Sequence, residues 1–291
     1  MTNSRLQINL FKSSGIQVAG NLITGVSIED AKQVALDIFK DNFLILSEQA
    51  ANTALVRAEE LVNEFILTLY DRYQNYIHKL QDPAIQYSLF NVQRDYAKSG
   101  DSELKKQQLY LLIERTISEE RTLKQIVLDE AIETLPKLAA EQLNFLSFIF
   151  IADNLTVKLF QNKFTKDIDF NIIEIMDNLK LFCDFSSKDL RQHVVGHLQY
   201  LGCIREISDN DDMFSPTSHI KRLVETYRGQ EVPDEDVIPI LKSIHTNLAM
   251  QYRLWKMSNK RTVKLTTVGL IIAITHYNRY ANIQINLEDF I

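Results

Sequence analysis

From Ile28 to Leu80 the chain contains neither glycine nor proline. Turns draw on residues that supply a positive or a fixed φ, so a stretch of this length without them has little alternative to helix. Ala31, Val34, Ala35, Ile38, Phe39 and Phe43 keep three- and four-residue spacing, and Leu55, Ala58, Leu61, Val62, Phe65, Ile66 and Leu69 repeat it. Ser27, followed by Asp30, reads as a variant capping box at the start. The spacing predicts one helix, or two end to end, running to Asp82-Pro83. Unbroken, such a helix would be about 80 Å long at 1.5 Å per residue, longer than a compact domain, so a break is expected around Leu46 to Asn52.

The rest of the chain points the same way. Eight Gly and five Pro in 291 residues are too few for the frequent turns of a sandwich, a barrel or an α/β fold. With 45% hydrophobic and 24% charged residues the composition is that of a globular protein. "KSGDSEL" reads as a turn with Ser102 as the next N-cap, and the helical pattern then continues to Leu135-Pro136. Another helix follows to about Leu155; from Leu143 to Ile151 it is apolar nearly all round, as expected of the central helix of a bundle. Shorter helices are predicted at Asn171 to Phe182 and Ser187 to Leu201, strands at Cys203 to Ile207 and Arg261 to Thr266, and a last helix at Val268 to Tyr280. The longest uncharged apolar runs, Phe145 to Ala152 and Val268 to Ile274, are far short of the roughly 18 residues of a spanning helix, so no membrane partner is expected.

Catalytic classes fall away on their residue requirements. Cys183, His193, His197 and Cys203 lie close in sequence, but the close cysteine pair usual in a zinc site is missing. The pair His193 and His197 also lacks the glutamate that would activate a water. There is no G-x-S-x-G, no G-x-G-x-x-G and no G-x-x-x-x-G-K-[ST]. Glu59-Glu60 and Glu119-Glu120 sit opposite apolar helix positions, as a solvated face does. No catalytic residue, metal or cofactor is expected, and the chain is read as a protein without enzymatic activity. Two cysteines are too few for a disulfide framework and no apolar leader opens the sequence, so a reducing cytoplasm is the expected location.

One stretch departs from the helical pattern. In "SSGIQVAGNLITG", Ser13 to Gly25, aliphatic residues alternate with Gln17, Asn21 and Thr24, which predicts a short strand pair with Gly20 and Asn21 near its turn, and "LQINL" adds a third β-like piece. Ile16-Gln17-Val18 resembles the aliphatic-Gln-aliphatic-Gly phrase of amyloid-type signalling motifs, with the glycine displaced to Gly20. The resemblance implies self-association through Ile16, Gln17, Val18, Gly20 and Asn21, by stacked amides and aliphatics.

Two further phrases, "HLQYLG" (197 to 202) and "LTTVG" (265 to 269), resemble the end of the recognition helix and the start of the closing helix of winged-helix proteins. On that likeness Arg191, Gln192, Gln199, Lys256, Lys260, Arg261 and Lys264 would face nucleic acid, although a net charge of −6 gives no general attraction to it. The order "SIEDAKQVALDIFKDNF", "QIVLDEAIETLPKL", "EQLNFLSFIF", "HLQYLGCI" and "LTTVGLIIA" is similar to an uncharacterised bacterial family whose relatives resemble parts of phage-defence systems. The expected protein is mainly α. A β element or assembly segment spans 1–26, a long-helix bundle 27–160, and a winged-helix-like module with a helical insertion 161–291. The expected function is homo-oligomeric assembly and protein interaction; the alternative is a DNA-binding regulator.

Overall fold

The glycine-free stretch folds back on itself. Helix α1 (Ile28–Asn42) and helix α2 (Glu48–Arg72) lie antiparallel: Lys32 reaches Glu59 at 3.2 Å, while Phe39, nearer the end of α1, is buried with Ala54 and Ala58 near the start of α2. The end-to-end arrangement is thereby corrected, and α2 begins inside the window expected for the break. Two amphipathic faces bury more apolar surface against each other than either could in a straight rod. The structure is a computed structural model that describes residues 6–8, 16–18, 28–42, 48–119, 122–155, 172–183, 194–207, 216–257, 262–281 and 284–290. Ser27 lies outside them. The chain divides into two compact units, Met1–Pro136 and Lys137–Ile291.

In the first unit a 3₁₀ segment (Gln74–Gln81) leads to α3 (Pro83–Ser99), α4 (Ser102–Ile117) and α5 (Leu123–Thr134). Pro83 opens α3 behind the Asp82 cap, whose carboxylate accepts from Ala84 N at 2.8 Å. Gly100 closes the helix at φ 66°, and Arg57 donates to the carbonyl of Ala97 at 3.0 Å. The cap of α4 is Asp101, which accepts from Glu103 N and Leu104 N, and not Ser102 as the sequence suggested. Both residues are good caps; the aspartate wins because its charge also complements the positive helix end.

Lys105 of α4, 6% exposed, bridges Glu60 and Glu64 of α2 at 2.7 Å each, and Tyr96 of α3 donates to Glu60 at 2.9 Å. The hydrogen bond from Lys105, then that from Tyr96, holds the Glu60 carboxyl below its usual range. Burial would lower the Lys105 ammonium, but its hydrogen bonds to the two glutamates overcome this and raise it. Burial and the bond to Glu60 push the Tyr96 phenol up.

At the N-terminus β1 (Leu6–Ile8) pairs antiparallel with β2 (Ile16–Val18), so among the described residues the partner of Ile16-Gln17-Val18 is the "LQI" segment. The turn expected at Gly20 and Asn21 lies outside the described residues.

The second unit is built on α6 (Ala140–Ile149) and the π-helical segment Phe150–Leu155. Their partner is α12 (Thr267–Tyr280), antiparallel to α6: Asn144 meets His276 at 3.0 Å and Ser147 donates to Ala273 O at 3.1 Å. Contacts thus divide the chain at Pro136, and the apolar helix read from sequence as the centre of the 27–160 bundle belongs with the C-terminal segments. Helix α7 (Ile172–Phe182) closes this core, with Asn178 donating to Tyr277 Oη at 2.7 Å and Phe182 5.9 Å from the Tyr277 ring. Then come α8 (Val195–Tyr200), β3 (Ile204–Ile207), α9 (Pro216–Arg228), α10 (Asp234–Ile244), α11 (Thr246–Met257) and β4 (Thr262–Leu265). Of the helix expected at 187–201, only the part from Val194 is described. His219 of α9 and Asp153 of the π segment form a buried pair at 3.2 Å.

Candidate functional site

The two phrases that stood out in the sequence, "HLQYLG" and "LTTVG", meet in one junction. Helix α8 ends when Gly202 N donates to Gln199 O at 3.0 Å and Cys203 N to Leu198 O at 2.8 Å, which requires Gly202 at φ 69°. Strand β3 follows and pairs antiparallel with β4, Ile204 opposite Leu265 and Ile207 opposite Thr262. Thr266 then donates its backbone N–H to Cys203 O at 3.0 Å and its hydroxyl to Gly202 O, and accepts from Gly269 N at 3.1 Å to cap α12. A Cβ on Gly269 would lie 1.8 Å from Cys203 O, so only glycine allows the helix to start against the strand. Gly202, Thr266 and Gly269 are therefore placed by the close approach of α8, β3 and α12.

The outward side of this junction is mostly uncharged. Gly196, His197 and Tyr200 are exposed on α8, Tyr200 by 85%, and Leu198 is buried. Gln142 accepts from Ala139 N through Oε1 at 3.0 Å, so its Nε2, 2.9 Å from His197 Nδ1, donates to the ring. On the ribbon Arg205 stands directly opposite Lys264, and no carboxylate pairs with either among the described residues. Gln199 is half-buried and Lys256 falls in α11, while Arg191, Gln192, Lys260 and Arg261 lie outside the described residues. Arg205 was missed in the sequence because its strand neighbour comes from 59 positions further on, a pairing no local pattern reveals.

The cysteines and histidines are dispersed. Cys203 is fully buried, and burial pushes its thiol up to about 12. Cys183, also buried, lies with Sγ 3.3 Å from His245 Nδ1 at the end of α7. His193 lies outside the described residues. Among the described residues no three metal-ligating side chains gather.

Two surfaces in the first unit bear on assembly. The β1–β2 ribbon pairs Gln7 with Gln17 between the aliphatic pairs Leu6–Val18 and Ile8–Ile16, and no third described strand joins it. On α2, Val56, Leu67 and Tyr70 are 66%, 50% and 45% exposed. Their spacing of 11 and 3 residues returns to one side of a helix, opposite the buried Ala58, Leu61, Val62, Phe65 and Leu69. Their sequence signal was being apolar off the core stripe, which the search for a single periodic face passes over.

No curated protein and no solved structure matches the chain. No described helix is long and apolar enough to cross a membrane. The model of one uncharacterised family matches residues 25–215 and 209–291, and the chain belongs to that family.

Proposed function

We propose that this chain acts by assembly and not by catalysis, self-associating through its N-terminal ribbon and the outer face of α2. The observation that carries the reading is the ribbon's register: alternating amide and aliphatic positions on two short strands whose outer edges no third described strand joins. Two strands alone are marginal in water, and added copies would complete both edges. The likeness of Ile16-Gln17-Val18 to amyloid-type signalling motifs supports a place as an accessory or sensor component of a bacterial phage-defence system. Two free, buried cysteines suit a reducing cytoplasm. The C-terminal junction is read as a winged-helix-like module used for protein docking, because the connection between β3 and β4 carries α9, α10 and α11 where a DNA-reading wing would be a short loop.

Light scattering on the full-length protein tests this. Ile16→Asp with Val18→Asp, and separately Leu67→Lys with Tyr70→Lys, are expected to reduce the oligomer while helix content stays constant. Unchanged size in both double variants rejects the reading.

A second reading, duplex DNA binding, rests on Arg205 facing Lys264: like charges directly opposite on a ribbon are unfavourable unless an anion lies over them. It predicts binding that weakens steeply with salt and is lost in Arg205→Glu with Lys264→Glu and in Lys260→Glu with Arg261→Glu. No binding by the wild type at low salt excludes it.

A further inference from the structure

An open cleft of about 240 Å³ lies between α3 and α5 in the first unit, and none of its lining residues belongs to the ribbon. Its walls follow helical spacing: Ala84, Tyr87, Ser88 and Asn91 on one side, and Asp129, Ile132 and Glu133 on the other. Three features specify what it would hold. Asn91 is 4% exposed and lines the cleft, and no described residue hydrogen-bonds its carboxamide. Asp129 is already engaged, accepting from Arg115 Nε at 2.7 Å and Ser88 Oγ at 3.2 Å, so that pair leaves the floor close to neutral. Glu133 makes no ion pair among the described residues, which leaves one uncompensated negative charge at the rim beside the exposed ring of Tyr87.

We infer that this cleft binds a single alkylammonium group, with Glu133 supplying the charge, the Asn91 carboxamide a hydrogen bond, the Tyr87 ring a cation–π face and Ile132 and Ala84 contact for the methylenes. The volume is below that of an ordinary small-molecule pocket and suits one lysine-sized chain. The inference does not depend on the assembly reading, since it concerns a different surface of the unit.

The test is calorimetry on the full-length protein with N-acetyl-lysine methylamide, putrescine and, as the uncharged control, N-acetyl-norleucine methylamide. Both cations are expected to bind more tightly than the control, and Glu133→Gln is expected to weaken them roughly two- to fivefold, the loss of one exposed ion pair. Asn91→Leu is expected to weaken them as well; Glu133 is exposed, so its variant keeps the fold even where Asn91→Leu does not. Tighter binding of the lysine derivative assigns the cleft to a lysine of a protein partner, and tighter binding of putrescine to a free amine. The inference fails if neither cation binds at about 10 mM, beyond the reach of a single weak contact. It fails equally if norleucine binds as well as lysine, or if Glu133→Gln changes nothing.

Discussion

At the scale of single residues, the tightest constraint is at Gly269. Its α-hydrogen faces a backbone carbonyl that cannot rotate away, so Gly269→Ala is expected to cost the second unit at least about 2 kcal/mol in urea unfolding. Gly196, where an added methyl would meet nothing within 4 Å, is the control: Gly196→Ala should be neutral or stabilise by about 0.5–1 kcal/mol through helix propensity. The Lys105 cluster makes a pH prediction. Lys105 and Tyr96 are raised in the folded state, so their contribution is present below their ordinary values of 10.5 and 10.0 and is lost as pH rises through the folded ones. Glu60 is lowered, so its contribution is present above 4.5 and lost as pH falls through the folded value. Lys105→Met should flatten the alkaline limb of a stability-against-pH curve, and a limb unchanged by the substitution would refute the assignment. None of this was legible in sequence beyond the identity of the residues. The glycine of "LTTVG" could be noticed, but the carbonyl that demands it belongs to Cys203, which only the fold brings near.

Among secondary elements, the helices were readable wherever one face is apolar and one is polar, because a 3.6-residue period is imprinted by burial itself. The position of α12 follows that imprint closely, whereas the run expected from Ser102 to Leu135 divides into α4 and α5 at Ser118–Thr122 and α2 stops at Arg72 instead of reaching Asp82. The pairing of β2 was not readable, since three-residue strands of alternating aliphatics fit several partners equally well and only tertiary geometry selects one. The π segment Phe150–Leu155 was also hidden, being indistinguishable in pattern from the helix before it. Its buried Asp153–His219 pair should respond asymmetrically to mutation. Removing His219 strands a carboxylate in the interior, whereas removing Asp153 leaves an imidazole that can be neutral. His219→Ala is therefore expected to be more destabilising than Asp153→Ala by about 1 kcal/mol or more in chemical denaturation. Equal costs would mean that the pair carries no charge.

For the whole molecule, the boundary at Pro136 instead of near residue 160 has a simple origin. An all-round apolar helix announces that it is buried but not by what, and the partner of α6 is α12, more than a hundred residues later. The mostly helical character and the two segments of the β3–β4 ribbon were legible; the division into units, which depends on distant contacts, was not. A chain ending at Thr266 lacks α12 and is expected to lose the helical content of the second unit, seen as a circular dichroism loss larger than the 14 deleted helical residues explain. A loss limited to those residues would place the core of the unit elsewhere.

The 54 residues between β3 and β4 have a consequence in chain statistics. Closing so long an excursion costs only about 2 kcal/mol more than closing a short hairpin, because loop-closure entropy grows with the logarithm of length. The strand ends are held by the Thr266–Cys203–Gly269 contacts, which do not involve the excursion at all. Family members can therefore lengthen, shorten or replace that segment at little thermodynamic cost, and variation in length is expected to accumulate there while the junction beneath it stays the same.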